Sequence, residues 1–187
     1  MNCVGLLLTY EVFTSCLNID NHQPIWVSYT QPFNPSSYNG SRHFKRDNKN
    51  ELKSSDYTNS GYDRGHLCPD NDYGEKTYYM SNVVPMTPNF NRGQWKVSEK
   101  YIRDKYKGYT IYKGCNYSNI WKDKLQIPVS CWYRIYKDNI LIGEKTIPMI
   151  DLKNDRIGIV DLSLFQKIHI ALLITSLVIF VFHCLFY

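Results

Sequence analysis

The sequence is short of several things, and each shortage closes a door. No Cys-x-x-Cys pair or zinc-ribbon spacing occurs among the six cysteines at 3, 16, 68, 115, 131 and 184, which argues against a structural zinc module, even one built on Cys68, Cys115 and Cys131. No internal repeat or low-complexity tract is present, so a solenoid and a long disordered linker are both excluded. At 187 residues the chain has room for one domain with a real core and none for a second enzyme. No strong charge excess exists either. The 22 Lys and Arg against 17 Asp and Glu give +5, which permits a polyanionic partner without proving one. The N-terminal apolar stretch Val4 to Thr9 lacks a basic leader and meets Glu11 too soon for a signal peptide, so it reads as a first strand.

The last shortage is local. From Ile168 to Tyr187 there is no Asp, Glu, Lys or Arg, and the run is apolar all round. As a helix it would be about 30 Å long, the thickness of a bilayer's hydrocarbon core. It therefore reads as a C-terminal transmembrane helix over 168–187. That predicts a membrane-anchored protein with the membrane as a partner through this helix, and a separate folded domain over 1–160.

What is abundant points to β structure. Aromatics reach 15%, with 16 Tyr, a composition that suits strands with hydroxyls at the core margin. Ile25 to Thr30 reads as a strand, and Gln31 to Ser60 as a long surface loop. Within that loop, residues 42–53 carry five basic and two acidic side chains. Tyr109 to Cys115, Val129 to Tyr136 and Asn139 to Met149 alternate as antiparallel strands, with a hairpin turn at Lys137-Asp138-Asn139. Cys115 and Cys131 would meet if those strands are neighbours; free buried thiols are the blander reading.

The chemistry concentrates between Tyr62 and Asp104. Asp63-Arg64-Gly65-His66 is followed, 25 residues beyond His66, by Asn91-Arg92-Gly93-Gln94-Trp95 and a helical pattern to about Tyr106. On a 100° wheel Asn91, Trp95 and Glu99 share one flank. Phosphodiester hydrolysis needs a base for water, a counter-charge for phosphate oxygens and help for the leaving alkoxide. A near-neutral imidazole at His66, a guanidinium fork at Arg64 and a hard cation on the Asn91 amide would meet these needs.

These residues are recognisable as a pattern. Asp63-Arg64-Gly65-His66 resembles the signature of the DNA/RNA non-specific endonucleases, the family of endonuclease G-like ββα-metal nucleases. Tyr79 to Met86, with Ser81-Asn82, is similar to that family's strand. Phe90 to Trp95, with Glu99 after it, is similar to its metal-binding helix. The similarity spans Leu6 to about Ile150. It implies an α+β chain: a ββα-metal nuclease fold with a central antiparallel sheet, to which the transmembrane helix would be appended.

The implied roles follow residue by residue. His66 is the general base, and Asn91 is the direct ligand of Mg²⁺ or Mn²⁺. Glu99 orients metal-bound water, and Arg64 and Asn82 support the phosphate and the site geometry. Arg42 is a second phosphate contact. Asp63 reads as a turn anchor, Trp95 as core, and Lys96, Lys100, Arg103, Lys105 and Lys107 as a basic helix that either tracks a nucleic-acid backbone or is simply solvated. DNA and RNA are the implied partners, with a homodimer as the family's habit. A 5′ exonuclease of the same superfamily and a membrane-tethered nucleic-acid-binding protein without turnover are the alternatives.

Overall fold

A computed structural model describes residues 1–36, 40, 43–47 and 50–149. These belong to one unit, Met1–Ile150. Its frame is a six-stranded antiparallel sheet built from β1 (Leu6–Thr9), β2 (Thr14–Leu17), β3 (Pro24–Thr30), β6 (Thr110–Lys122), β7 (Leu125–Lys137) and β8 (Ile140–Pro148), in the order β1-β2-β3-β6-β7-β8. A second, two-stranded sheet pairs β4 (Asp63–His66) with β5 (Val83–Met86). Between β4 and β5 lies a single helical turn, α1 (Asp70–Tyr73). After β5 the chain turns through α2 (Pro88–Phe90), where Pro88 opens the helix and Thr87 caps it, then through a wide π turn at Asn91–Trp95, and enters α3 (Lys96–Lys105).

Period-2 burial explains the central strands. Ile111 and Cys115 of β6, and Cys131, Tyr133 and Ile135 of β7, all point into one core. Val83, Val84 and Met86 of β5, with Trp95 and Ile102 of the helical segment, fill the same core. The ββα hairpin and helix thus lie on the sheet rather than beside it. The β7–β8 turn forms as expected, with Asp138 and Asn139 both at positive φ, as a tight two-residue hairpin requires. Two features escaped the sequence reading. One is β2. The other is the outward extension of the β6–β7 hairpin to a turn whose Asp123 also has positive φ.

Cys115 lies opposite Cys131 in the β6–β7 register, and the two form a disulfide. Cys3 and Cys16 form another, so among the described residues the blander thiol reading holds only for buried Cys68.

The membrane reading is corrected. Among the described residues no helix is long and apolar enough to cross a membrane. The longest, α3, has 10 residues, about 15 Å of rise against about 30 Å of hydrocarbon, and it carries charge on most of its length. The expected span over 168–187 lies outside the described residues. The transmembrane helix is therefore dropped from the fold class, and the membrane partner and membrane-anchored localisation go with it.

Gly114 is a point of close approach inside the six-stranded sheet. A Cβ there would lie 2.4 Å from the Ile25 carbonyl oxygen and 2.5 Å from the Trp132 ring. The backbone oxygen cannot swing aside, so Gly114→Ala should destabilise the domain by about 2–3 kcal/mol, read as a lower urea midpoint. An unchanged midpoint would show that β3 and β6 separate without cost.

Candidate functional site

The four-residue strand β4 is held at both ends. Its register on β5 pairs Asp63 with Met86 and His66 with Val83. At the His66 end, the Trp95 indole N–H donates to the His66 carbonyl at 2.9 Å. At the Asp63 end, the Asn91 amide Nδ2 donates to Asp63 Oδ2 at 3.0 Å. Arg92 makes a fork to the same carboxylate, Nε to Oδ2 at 2.9 Å and a terminal nitrogen to Oδ1 at 2.8 Å. Burial alone would raise the Asp63 carboxyl, but hydrogen bonds from Arg92 and Asn91, with the charges of Arg92 and Arg64, outweigh it and hold it below the usual Asp range. Because Nδ2 of Asn91 is spent on Asp63, Oδ1 is the acceptor that the side chain has left.

These ties shape an open cleft of about 680 Å³ whose lining includes Arg64, His66, Asn91 and Glu99, together with Phe44, Tyr78, Asp70 and Lys96. The His66 ring sits edge-on to Tyr78 at 5.0 Å and against Phe44 at 5.2 Å. The Tyr78 hydroxyl donates to Asp70. Arg64 lies over the Phe44 ring and spends one terminal nitrogen on the Ser54 carbonyl at 3.0 Å. The Glu99 side chain is 13% exposed and 3.8 Å from the ammonium of Lys113. Burial, opposed by the charges of Lys113 and Arg103, pushes the Glu99 carboxyl up from 4.5 to about 7.

Of the expected site residues, then, Arg64, His66, Asn91 and Glu99 share one cleft. Asn82 does not line it. Fully buried, Asn82 accepts from Cys68 N–H at 2.8 Å and donates to the carbonyls of Cys68 and Thr77, both at 2.9 Å, while its own carbonyl accepts from Leu67 N–H. It is the buckle of the loop that leaves His66. Arg42 lies outside the described residues. Asp63 turns out to bind side chains of the helix rather than backbone of its own turn. The expected basic helix is only partly available: Lys100 pairs with Asp104, Arg103 turns inward to Asp72, and Lys96 lines the cleft.

Sequence reasoning missed Lys113, although a signal was there. It shares the strand phase of Ile111 and Cys115, which makes a lysine at a core position. A hard divalent cation suits an amide oxygen such as the Asn91 Oδ1, since such an ion takes oxygen donors and keeps several waters. Among the described residues no group of three or more His, Cys, Asp or Glu is placed to hold a metal ion.

A family model described as DNA/RNA non-specific endonuclease matches residues 4–157. The chain is similar to the mitochondrial nuclease of Saccharomyces cerevisiae, 35% identical over 122 residues that cover 56% of this chain and 37% of that protein. It is similar to a nuclease of Nostoc sp., 37% identical over 87 residues covering 41% and 32%, and to human mitochondrial endonuclease G, 40% identical over 60 residues covering 29% and 20%. The chain thus spans well under half the length of each of these relatives. Among solved structures, the crystal structure of the EndoG/EndoGI complex matches with a TM-score of 0.65 at 20% identity, over 81% of this chain and 77% of that one, a likeness of fold.

The position of Asn82 separates two roles by experiment. If it buckles the loop, Asn82→Ala leaves three buried backbone groups unsatisfied and should cost about 3 kcal/mol of stability, with activity falling alongside. A variant of full stability but low kcat would instead put Asn82 on the phosphate.

Proposed function

The chain belongs to the DNA/RNA non-specific endonuclease family, and on that premise we propose that it is a metal-dependent, sugar-nonspecific endonuclease that hydrolyses phosphodiester bonds in DNA and RNA. The observation that carries this reading is the shared cleft of His66, Arg64, Asn91 and Glu99. The Asp63 tie leaves the Asn91 Oδ1 available.

In this reading His66 is the general base. Its ring, packed between Phe44 and Tyr78, takes a proton from the attacking water. Arg64 offers the guanidinium nitrogens not committed to Ser54 to the phosphate oxygens, where its charge offsets what gathers there. Asn91, through Oδ1, would hold Mg²⁺ or Mn²⁺, and Glu99 would orient water in the ion's shell. When bound, that ion supplies Lewis-acid stabilisation of the leaving oxygen. Asn82 acts through the backbone that carries His66. Contact through phosphates carries no base information, which supports a substrate range across DNA and RNA. Arg42 remains proposed as a phosphate contact on the resemblance alone, as does pairing into a homodimer.

Circular plasmid and structured RNA, each with Mg²⁺ or with EDTA, test the proposal directly. Wild type should nick the circle and degrade RNA only with the metal, and His66→Ala should lose about three orders of magnitude in rate while retaining binding. A linear substrate digested only from its ends, with circles untouched, would make the enzyme an exonuclease instead. Asp63→Ala, which frees Asn91 to rotate, should weaken Mn²⁺ binding by about tenfold to a hundredfold, measured by calorimetry without substrate. Unchanged affinity would remove Asp63 from any part in orienting the amide.

A further inference from the structure

Lys113 takes no part in the proposed reaction, yet it is a lysine with no exposed surface at a core position of the domain. It is fully buried on β6, in the phase of Ile111 and Cys115, where an apolar residue would be expected. Its ammonium lies 3.8 Å from Glu99 Oε1, 5.1 Å from the Trp95 ring centroid and 5.6 Å from that of Tyr29, and it has no hydrogen-bond partner among the described residues. On stability alone an apolar side chain of equal volume would serve as well or better, because a buried ion pair repays its desolvation poorly. At 3.8 Å the link to Glu99 is Coulombic rather than a hydrogen bond.

The charges around it are not interchangeable. Asp72 of α1 is already matched by Arg103 of α3. Of the two carboxylates that act on Lys113, Glu99 and Asp72, Glu99 is the one that lines the cleft, and Lys113 is the cation paired with it. Asp70 and Asp72 push the Glu99 carboxyl toward its neutral form, whereas Lys113 and Arg103 oppose them. The Cys68 thiol and Tyr29 complete the surroundings of the ammonium. The same ammonium rests on the ring of Trp95, whose N–H holds the His66 carbonyl. One cation therefore meets both Glu99, which lines the cleft, and Trp95, which holds the backbone of His66.

We infer that Lys113 is a positioning residue of this nuclease: from the central sheet, buried between Glu99 and the Trp95 ring, it holds the Glu99 side chain in place where that side chain lines the cleft. The inference rests on the assignment of Glu99 to the reaction made above.

Three full-length variants test it: Lys113→Met, Glu99→Gln and the double variant. Each is assayed on circular plasmid with Mg²⁺ across pH, with melting followed in parallel and the Glu99 carboxyl followed by carbon NMR in the metal-free protein. Lys113→Met should move the Glu99 midpoint upward by about one unit and lower kcat at pH 6 by about tenfold, with little change in KM. In the Glu99→Gln background the same change should alter kcat by less than about twofold, because nothing is left to position. An equal loss in both backgrounds would assign Lys113 to structure alone, and an unmoved carboxyl midpoint would overturn the inference outright.

Should Lys113→Met fail to fold, the double variant decides. Folding with the activity of Glu99→Gln supports the inference, while failure to fold, or activity well below Glu99→Gln, overturns it. If Glu99→Gln itself keeps full kcat, the role of Glu99 in the reaction fails. The carboxyl midpoint still reports whether Lys113 governs that group.

Discussion

The whole site depends on fastening a two-stranded ribbon to a helix. A two-stranded sheet is marginal by itself, and here it carries His66 at the end of a strand of only four residues. The helical segment fastens it twice, through Trp95 to the His66 carbonyl and through Asn91 and Arg92 to Asp63. Trp95 is 1% exposed, so the first fastening is itself anchored in the core. The ends of the strand are thereby set relative to the helix before any substrate or ion arrives, which is the preorganisation that acid–base and electrostatic catalysis require.

A second layer of polar groups lies under this frame, where the domain might have been apolar. Arg103 and Asp72 cross from α3 to α1, and Lys113 reaches from β6 to Glu99. Such pairs add little to stability. Their charges act on Glu99, which lines the cleft. Glu99 sits near neutrality in titration because burial and two aspartates push it up while two cations push it down. A carboxyl balanced in this way responds to small changes in its surroundings, and perturbed groups of this kind concentrate at functional sites.

The sequence made part of this visible and hid the rest for physical reasons. The strands around Ile111 and Ile135 were legible because one face is buried and the period is strict. The Asp138-Asn139 turn was legible because positive φ suits those residues. The residues of the cleft were legible through Asp63-Arg64-Gly65-His66 and Asn91 to Glu99, as a pattern rather than as chemistry, since a single imidazole beside an arginine is common. β2, four residues long with mixed Thr, Ser, Cys and Leu, carries too little periodicity to stand out. The true use of Asp63 was hidden because its partners are 28 and 29 residues away. Lys113 was hidden by the habit of reading lysine as solvent-facing. The apolar run at 168–187 shows the opposite error, where hydropathy alone suggested a role that no described helix supports.

The geometry of the helical segment follows from what it must span. Along β4, Asp63 and His66 are three residues apart, about 10 Å. On the helical side their partners, Asn91 and Trp95, are four residues apart, about 6 Å of rise in a regular α-helix. A regular helix lying along the strand would leave one fastening short. The segment instead widens into a π turn over these five residues, a local distortion frequent at functional sites. The two fastenings are also unequal in reach: the indole is long and goes to a backbone oxygen, while the amide is short and meets an aspartate that extends toward it. Gly93, at the middle of the turn, has nothing within 4 Å of where a Cβ would sit. Steric crowding at Gly93 thus does not impose the wide turn, whereas the two fixed points on β4 supply a reason for it.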